Sequence, residues 1–267
     1  MARQNWRRGV GRAAAGSYLL LVYLFILGPL AIVIFNSFNS ARAFPSAFES
    51  FTLQWYQSLL DYEQFMRAMW VSGRVGLAAA GLATLLGVPP SIAFVRGAFP
   101  GKELINSFFM APLVIPQIAL SIALLQMFSL LRLPLNEMTL ILAHTVFVIP
   151  YVIRAVVASL HYVSPSLEES AMNLGANPLQ TFFYVTLPLI RSGLTAGFVL
   201  SFVISFINVP LSLFLATPAT STLPIRVFAY MESRLDPLVA AIGGLTIFIV
   251  FAIVIVLEKL LRVRLIL

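Results

Sequence analysis

The sequence contains no cysteine and is poor in charge. Of its 267 residues, none is Cys and only 10% are Asp, Glu, Lys or Arg, whereas 60% are hydrophobic. Without cysteine there can be no disulfide framework. A soluble domain usually carries about 25% charged residues, so the charges here are too few to cover a water-facing surface. The composition predicts a polytopic membrane protein with no room for a second large soluble domain.

Signatures of enzymes and of nucleotide binding are also missing. The two histidines, His144 and His161, show no metal-ligand spacing, and no Gly-x-Ser-x-Gly elbow or intramembrane carboxylate pair is present. The nearest match to a phosphate-binding loop ends at Gly101-Lys102, lacks the hydroxyl residue, and has Arg96 in place of its first glycine. We expect the chain to bind no ATP, cofactor or metal and to have no catalytic residue.

Six apolar segments are long enough to cross a membrane. Each reaches the roughly 20 residues that a helix needs to span a 30 Å hydrocarbon core, and their apolar runs lack the period-two alternation of a barrel. An all-α membrane protein with six transmembrane helices is predicted, at about residues 17–35, 68–95, 104–131, 138–160, 192–215 and 238–261. Basic residues before the first segment would suit a signal peptide, as would Ala41-Arg42-Ala43 as a cleavage site, but the long apolar run favours a retained helix.

Membrane topology explains the net charge of +7 better than nucleic-acid binding does. No basic cluster is interleaved with stacking aromatic residues, so no nucleic-acid partner is expected. With the N-terminus in the cytoplasm, 11 of the 17 Lys and Arg residues fall on the cytoplasmic side and 6 fall outside. Since Lys and Arg accumulate on cytoplasmic loops, both termini are predicted to be cytoplasmic.

A polar loop of about 25 residues separates the fourth and fifth segments. Ser164-Pro165 suits an N-cap and first helical position, and Glu168 and Glu169 fall in the first turn, where acids favour the helix dipole. Gly175 suits the left-handed residue that ends a helix, and Asn177-Pro178 is a second cap signal. The pattern predicts two short helices around a glycine turn, shaped to fit a groove on a partner. A merely interfacial loop is the alternative.

The same loop has a fixed spacing of Glu-x-Ala, three residues, Gly, nine residues, a β-branched aliphatic residue, one residue and Leu-Pro. The matching residues are Glu169, Ala171, Gly175, Val185, Leu187 and Pro188. This spacing resembles the "EAA" signature of permease subunits of binding-protein-dependent ABC importers, with Ser170 and Val185 as mild departures. The resemblance implies a loop that couples to an ATPase through Glu168, Glu169, Ser170, Ala171, Gly175, Ala176, Leu187 and Pro188.

The resemblance covers most of the chain and implies the type I importer permease fold. One permease domain would span 1–267, with a peripheral first helix at about 17–36, core helices within about 66–261 and the coupling loop at about 161–190. The implied partners are two ABC ATPase subunits that hold ATP and Mg, a second permease subunit, more readily a paralogue than an identical copy, and a periplasmic substrate-binding protein. The chain would be a multi-pass protein of the bacterial inner membrane that imports solute by alternating access.

Two tracts are similar to the polyamine (spermidine/putrescine) branch of these permeases. They are Thr222–Arg226, with Asp236-Pro237 after it, and His144–Phe147, ahead of Pro150-Tyr151. The fifth span of that branch carries Ser-Phe-Asp followed by an acid. Here the same place reads Ser205-Phe206-Ile207-Asn208, so both acids are missing. The implied solute is polyamine-like, opine-like or another amine- or amino-acid-type compound, and an anionic or neutral compound is the alternative.

Polar residues recur on one helical stripe of the fifth segment, at spacings of four, three and four. They are Ser201, Ser205, Asn208 and Ser212. Interhelical hydrogen bonding would explain this stripe, and so would a substrate path in which Pro210 is a gate kink. His144 is expected to be a hydrogen-bonded packing residue, with a substrate contact as the alternative. For the whole chain, a membrane enzyme and a passive channel or scaffold are the competing functions.

Overall fold

A computed structural model describes residues 2–41, 48–233 and 237–261. Every regular element of this part of the chain is helical, apart from one isolated bridge between Asn39 and Phe51. A π-helical turn covers Phe182–Thr186 and a 3₁₀ turn covers Pro218–Thr220. The α-helices are α1 (Ala2–Ser37), α2 (Gln54–Asp61), α3 (Glu63–Arg96), α4 (Lys102–Val114), α5 (Gln117–Leu130), α6 (Glu137–Leu160), α7 (Pro165–Asn173), α8 (Pro178–Thr181), α9 (Leu187–Leu189), α10 (Arg191–Phe206), α11 (Pro210–Leu215), α12 (Leu223–Ser233) and α13 (Pro237–Leu261).

The chain divides into two compact units. The first comprises Met1–Tyr62 and Tyr230–Phe248, and the second comprises Glu63–Ala229 and Ile249–Leu267. Both regions predicted to be functional, the polar loop and the polar stripe, belong to the second unit. The expectation of a single domain over 1–267 stays a prediction.

In the first unit, hydrogen bonds fix the turn that follows α1. The indole Nε1 of Trp55 donates to the carbonyl oxygen of Asn39 at 2.7 Å, and the Tyr56 hydroxyl is hydrogen-bonded to Ser37 Oγ at 2.7 Å. The ring of Phe35 packs on that of Phe48, with centroids 4.6 Å apart. These contacts hold α2 against the end of α1, because both polar tips of Trp55 and Tyr56 are satisfied there.

The second unit is built around α3, α6 and α10. Helices α3 and α6 run in the same direction. Arg74, in the first half of α3, bonds to Glu137, the first residue of α6, at 2.9 Å. Arg96, the last residue of α3, bonds at 2.8 Å to the carbonyl oxygen of Val163, just after α6. Between these points the three helices enclose an apolar core that includes Val75, Phe147, Val152, Val156 and Phe202.

Small residues let the backbones of α6 and α10 approach closely, in opposite directions. A Cβ on Gly193 would lie 2.5 Å from the Cβ of Ser159 and 2.7 Å from the carbonyl oxygen of Ala155. Further along the pair, Ser201 Oγ donates to the carbonyl oxygen of Val148 at 3.3 Å. In lipid, close packing of this kind drives helix association, because lipid tails are as apolar as the side chains.

Four helical stretches are long and apolar enough to cross a membrane, at Ala15–Ser37, Glu63–Arg96, Glu137–Leu160 and Pro237–Val256. They match the first, second, fourth and sixth predicted spans. Two bent pairs would raise the number to six if each formed one span: Lys102–Val114 with Gln117–Leu130, bent by 109°, and Pro178–Leu189 with Arg191–Phe206, bent by 70°. The count of six spans therefore stays a prediction.

The third apolar segment, predicted at 104–131, consists of two helices, α4 and α5. The chain leaves the helix at Ile115, whose φ of −71° and ψ of 131° are extended. The ring of Pro116 disfavours helical angles at the residue before it, and Pro116 has no N–H to continue the ladder. The segment is apolar throughout, so hydropathy alone gave no sign of the 109° bend.

The fifth predicted helix, at 192–215, is also interrupted. Helix α10 ends at Phe206, and α11 begins at Pro210 as its first residue. A proline fits this position because the first N–H groups of a helix have no partner in it. A kink was expected at Pro210, but the interruption is larger: one helix stops at Phe206 and another begins at Pro210.

Some sequence positions used for prediction lie outside the described residues. They are Arg42, Ala43, Arg234, Asp236, Arg262 and Arg264. The cytoplasmic placement of both termini stays a prediction from the count of basic residues.

Replacement of Gly193 tests the contact between α6 and α10. Gly193→Ala should lower the melting temperature of the detergent-solubilised protein, because the added methyl forces the helices apart at a cost of about 1–3 kcal/mol. Gly81→Ala is the matched control, since nothing lies within 4 Å of a Cβ at this helical glycine. Equal melting temperatures for both variants would contradict the close packing.

Candidate functional site

The polar loop folds as two short helices joined by a glycine turn, as predicted. Pro165 is the first residue of α7, and Gly175 follows that helix with a φ of +97°. The amide of Gly175 donates to the carbonyl oxygen of Met172 at 2.9 Å, and that of Ala176 to Ala171 at 3.1 Å. Such bonds close a helix C-terminus when the residue after it is left-handed. Ser164 occupies the N-cap position, but its hydroxyl bonds to Ser166 instead of the backbone.

The second helix starts with a capping box. Asn177 Oδ1 accepts the amide of Gln180, and Gln180 Oε1 accepts the amide of Asn177, both at 2.9 Å. This reciprocal pair satisfies two free amides at the start of α8. The chain then passes through the π-helical turn into α9, which carries Leu187 and Pro188.

The loop exposes both charge and apolar surface. Glu169 and Ser170 are exposed, and Ala171 and Ala176 are half-buried. Leu174, just before the glycine turn, is 90% exposed, and Tyr184 is 80% exposed.

Glu168 differs from its neighbour Glu169, because it is bonded inside the protein. Its Oε2 accepts from Arg96 Nε at 2.9 Å, and its Oε1 accepts from Thr186 Oγ1 at 2.8 Å. Arg96 also donates to the carbonyl oxygen of Val163. The pattern of the loop treats the two acids alike and does not indicate that Arg96 and Thr186 are the partners of Glu168. The signal in the sequence was the position of Arg96 at the end of the second predicted span. That end is predicted to lie on the same side of the membrane as the loop.

The polar stripe of the fifth segment is buried in the second unit. Ser201, Ser205, Asn208 and Ser212 each have an exposure of 5% or less. His144, fully buried, lies 2.7 Å through Nδ1 from Ser205 Oγ and 3.2 Å through Nε2 from Ser212 Oγ. The imidazole therefore contacts α10 and α11 on both sides of the break between them.

Asn208 occupies that break and bonds in two directions. Its Oδ1 accepts the amide of Leu211 at 2.9 Å, which caps α11, and its Nδ2 donates to Gln117 Oε1 at 3.4 Å. Gln117 is the first residue of α5, directly after the bend at Pro116. Gln117 was not among the predicted site residues. Its position directly after Pro116, inside an apolar run, is the sequence feature that could have indicated it.

His144 is thus bonded to Ser205 and Ser212. Asn208, two residues before Pro210, is bonded separately to Gln117 and to the amide of Leu211. This arrangement fits interhelical hydrogen bonding, and the role of these residues in a substrate path stays a prediction. Within the part of the chain that the structure describes, no group of three or more His, Cys, Asp or Glu residues could hold a metal ion.

Comparison with known proteins decides the family. The family described as "binding-protein-dependent transport system inner membrane component" matches residues 81–266. The chain belongs to this family. It is a transmembrane permease subunit of an ABC importer in the bacterial inner membrane, and separate subunits hydrolyse ATP. A substrate-binding protein and ABC subunits are its partners.

Individual relatives agree with this assignment over nearly the whole chain. The spermidine/putrescine transport system permease protein PotC of Escherichia coli K12 is 31% identical over 255 residues, which are 96% of each chain. The putrescine transport system permease protein PotI of the same strain is 31% identical over 234 residues, covering 85% of this chain and 83% of PotI. Among solved structures, a bacterial ABC transporter involved in the import of alginate matches 95% of this chain and 96% of its own, with a TM-score of 0.70 and 16% identity. That likeness shows the permease fold.

Proposed function

We propose that the loop formed by α7, Gly175 and α8 couples this permease to an ABC ATPase. The observation that carries the proposal is that two adjacent acids differ in their exposure and in their bonding. Glu168 faces the protein, whereas Glu169 is exposed and makes no ion pair among the described residues. A short helix that projects a free carboxylate and an exposed leucine suits a groove on a partner protein.

The chemistry of the exposed residues indicates what the groove contains. The Glu169 carboxylate would pair with a basic or amide group of the ATPase. Leu174, which is 90% exposed here, would be removed from water in an apolar pocket. The positive φ of Gly175 keeps the turn sharp, so that α8 folds back and leaves the end of α7 projecting.

The loop is placed to transmit force to the permease core. It follows α6 and precedes α10, the helices that pack closely at Gly193 and Ser159. Two ATPase subunits, with ATP and Mg, would close and pull the loop, and the packed helices would move as rigid bodies. The second permease subunit would be a paralogue, so that the solute passes between two related chains by alternating access.

The proposed solute is a small organic compound of the amine or amino-acid type, including polyamine-like and opine-like molecules. The relatives named for spermidine and putrescine support this class. The chain has no Asp or Glu between residues 170 and 231. The side chains bonded to His144 and to Asn208 are uncharged. An amine would therefore be bound by hydrogen bonds to neutral groups. Because acids are missing here, an anionic or neutral compound is the second candidate.

Replacement of Gly175 tests the coupling role. Gly175→Pro should abolish copurification of the ATPase with the detergent-solubilised permease, because proline requires a φ near −65° and the turn has +97°. Gly101→Pro, at the other glycine of positive φ, is the matched control and should leave copurification unchanged. Elution volume and membrane yield report folding. Normal copurification of a folded Gly175→Pro permease would contradict the proposal.

A new charge at Asn208 distinguishes the solute classes. In Asn208→Asp, one carboxylate oxygen can still accept the amide of Leu211, and the charge would attract an amine. If membrane yield shows that this buried charge is tolerated, uptake of an amine-type solute by the complete importer should be kept or raised. An anionic solute would be repelled, with a loss of about tenfold for each 1.4 kcal/mol. Asn208→Ser is the neutral control. Loss of uptake of the cognate solute in the Asp variant alone would contradict the amine class.

A further inference from the structure

Helix α7 is held in place by polar contacts. None of its residues, Pro165–Asn173, is fully buried, so apolar packing contributes less to its position than it does for the core helices. Within the part of the chain that the structure describes, Glu168 is the only α7 side chain that hydrogen-bonds beyond Ser164–Asn173. This carboxylate is therefore the polar anchor of α7.

The carboxylate joins three segments that are far apart in sequence. Arg96 is the last residue of α3, Val163 belongs to the chain between α6 and α7, and Thr186 ends the π-helical turn. Arg96 bonds to Glu168 through Nε and to the Val163 carbonyl through a terminal nitrogen, at 2.9 and 2.8 Å. Thr186 occupies the second oxygen of Glu168 at 2.8 Å. The planar guanidinium fixes direction as well as distance, because its donors form a rigid fork.

This ion pair differs from the other pairs near the ends of α3. The side chains of Arg96 and Glu168 are 20% and 14% exposed, whereas those of Arg67 and Glu63 are 67% and 82% exposed. Exposed pairs contribute little, since water screens them. Removing one partner of a shielded pair leaves an uncompensated charge, which is strongly unfavourable.

Helix α3 can carry a displacement of the loop into the core of the permease. Its 34 residues pack along both α6 and α10, and its far part is bonded to the start of α6 through Arg74 and Glu137. A displacement of α7 would reach the end of α3 through Arg96. The remaining routes from α7 into the core are its covalent connections and the contacts that it makes with α8 and the π-helical turn.

We infer that Glu168 and Arg96 are positioning residues for coupling, which rests on the proposed docking of the loop to an ATPase. The two adjacent acids then have opposite roles. Glu169 contacts the ATPase, and Glu168 passes the movement of the loop to α3. Weakening the inner pair should leave the ATPase bound and hydrolysing ATP while less solute moves for each ATP consumed.

The test uses the complete importer in proteoliposomes, with its substrate-binding protein, and measures solute uptake per ATP hydrolysed. Glu168→Gln and Arg96→Gln should each lower this ratio at least about fivefold, within the range usual for coupling between sites, with ATPase copurification unchanged. The Glu168→Gln, Arg96→Gln double variant should be no worse than either single one, because both remove the same interaction. A merely destabilised permease would lose uptake and stimulated hydrolysis together and keep the ratio.

Two further variants keep the inference testable. Thr186→Val removes one bond to Glu168 without leaving a charge unpaired, so it should fold and lower the ratio by a smaller factor. Glu169→Gln should instead weaken ATPase copurification. An unchanged ratio in Glu168→Gln and Thr186→Val would overturn the inference, as would loss of copurification in Glu168→Gln. Unchanged copurification in Glu169→Gln would overturn the docking proposal itself, as it would in a folded Gly175→Pro permease.

Discussion

The close approach of α10 to α6 is the contact on which the rest of the second unit depends. Helices in lipid are not driven together by the hydrophobic effect, so they need surfaces that fit. Gly193 and Ser159 supply such a fit at the base of the polar loop. Because the loop connects these two helices, their separation sets the distance between its ends. The capped turn at Gly175 and the inner ion pair of Glu168 then act on a segment whose ends are already fixed.

Polar groups have two distinct tasks in this permease. At the loop, a charged and partly shielded pair ties α7 to α3. Deeper in the helices, where α10 stops and α11 begins, Asn208 Oδ1 accepts the amide of Leu211, and His144 bonds to Ser205 and Ser212 on the two sides of the break. In a medium without water, such groups must find partners inside the protein. The break between α10 and α11 is therefore supported by side-chain hydrogen bonds on both of its sides.

Much of this arrangement could be predicted from the sequence, and the reasons for the failures are physical. Long apolar runs and local caps are properties of neighbouring residues, so four spans and the turn at Gly175 were predicted correctly. The break at Ile115 depended on which of several prolines ends a helix, and hydropathy does not decide that. The pairing of Glu168 with Arg96 joins residues 72 apart, and it exists only because α3 ends beside the loop. The polar groups at the break between α10 and α11 are uncharged, so charge complementarity there does not select a solute.

Cross-linking from the tip of the loop tests the docking of this loop most directly. The chain has no native cysteine, so Leu174→Cys introduces a single thiol at a side chain that is 90% exposed. With a short bifunctional reagent, this thiol should form a covalent product with the ATPase in the intact importer. Leu130→Cys, at an 85% exposed leucine of α5, should form none. A product from position 130 and none from position 174, in an importer that still hydrolyses ATP, would contradict the account.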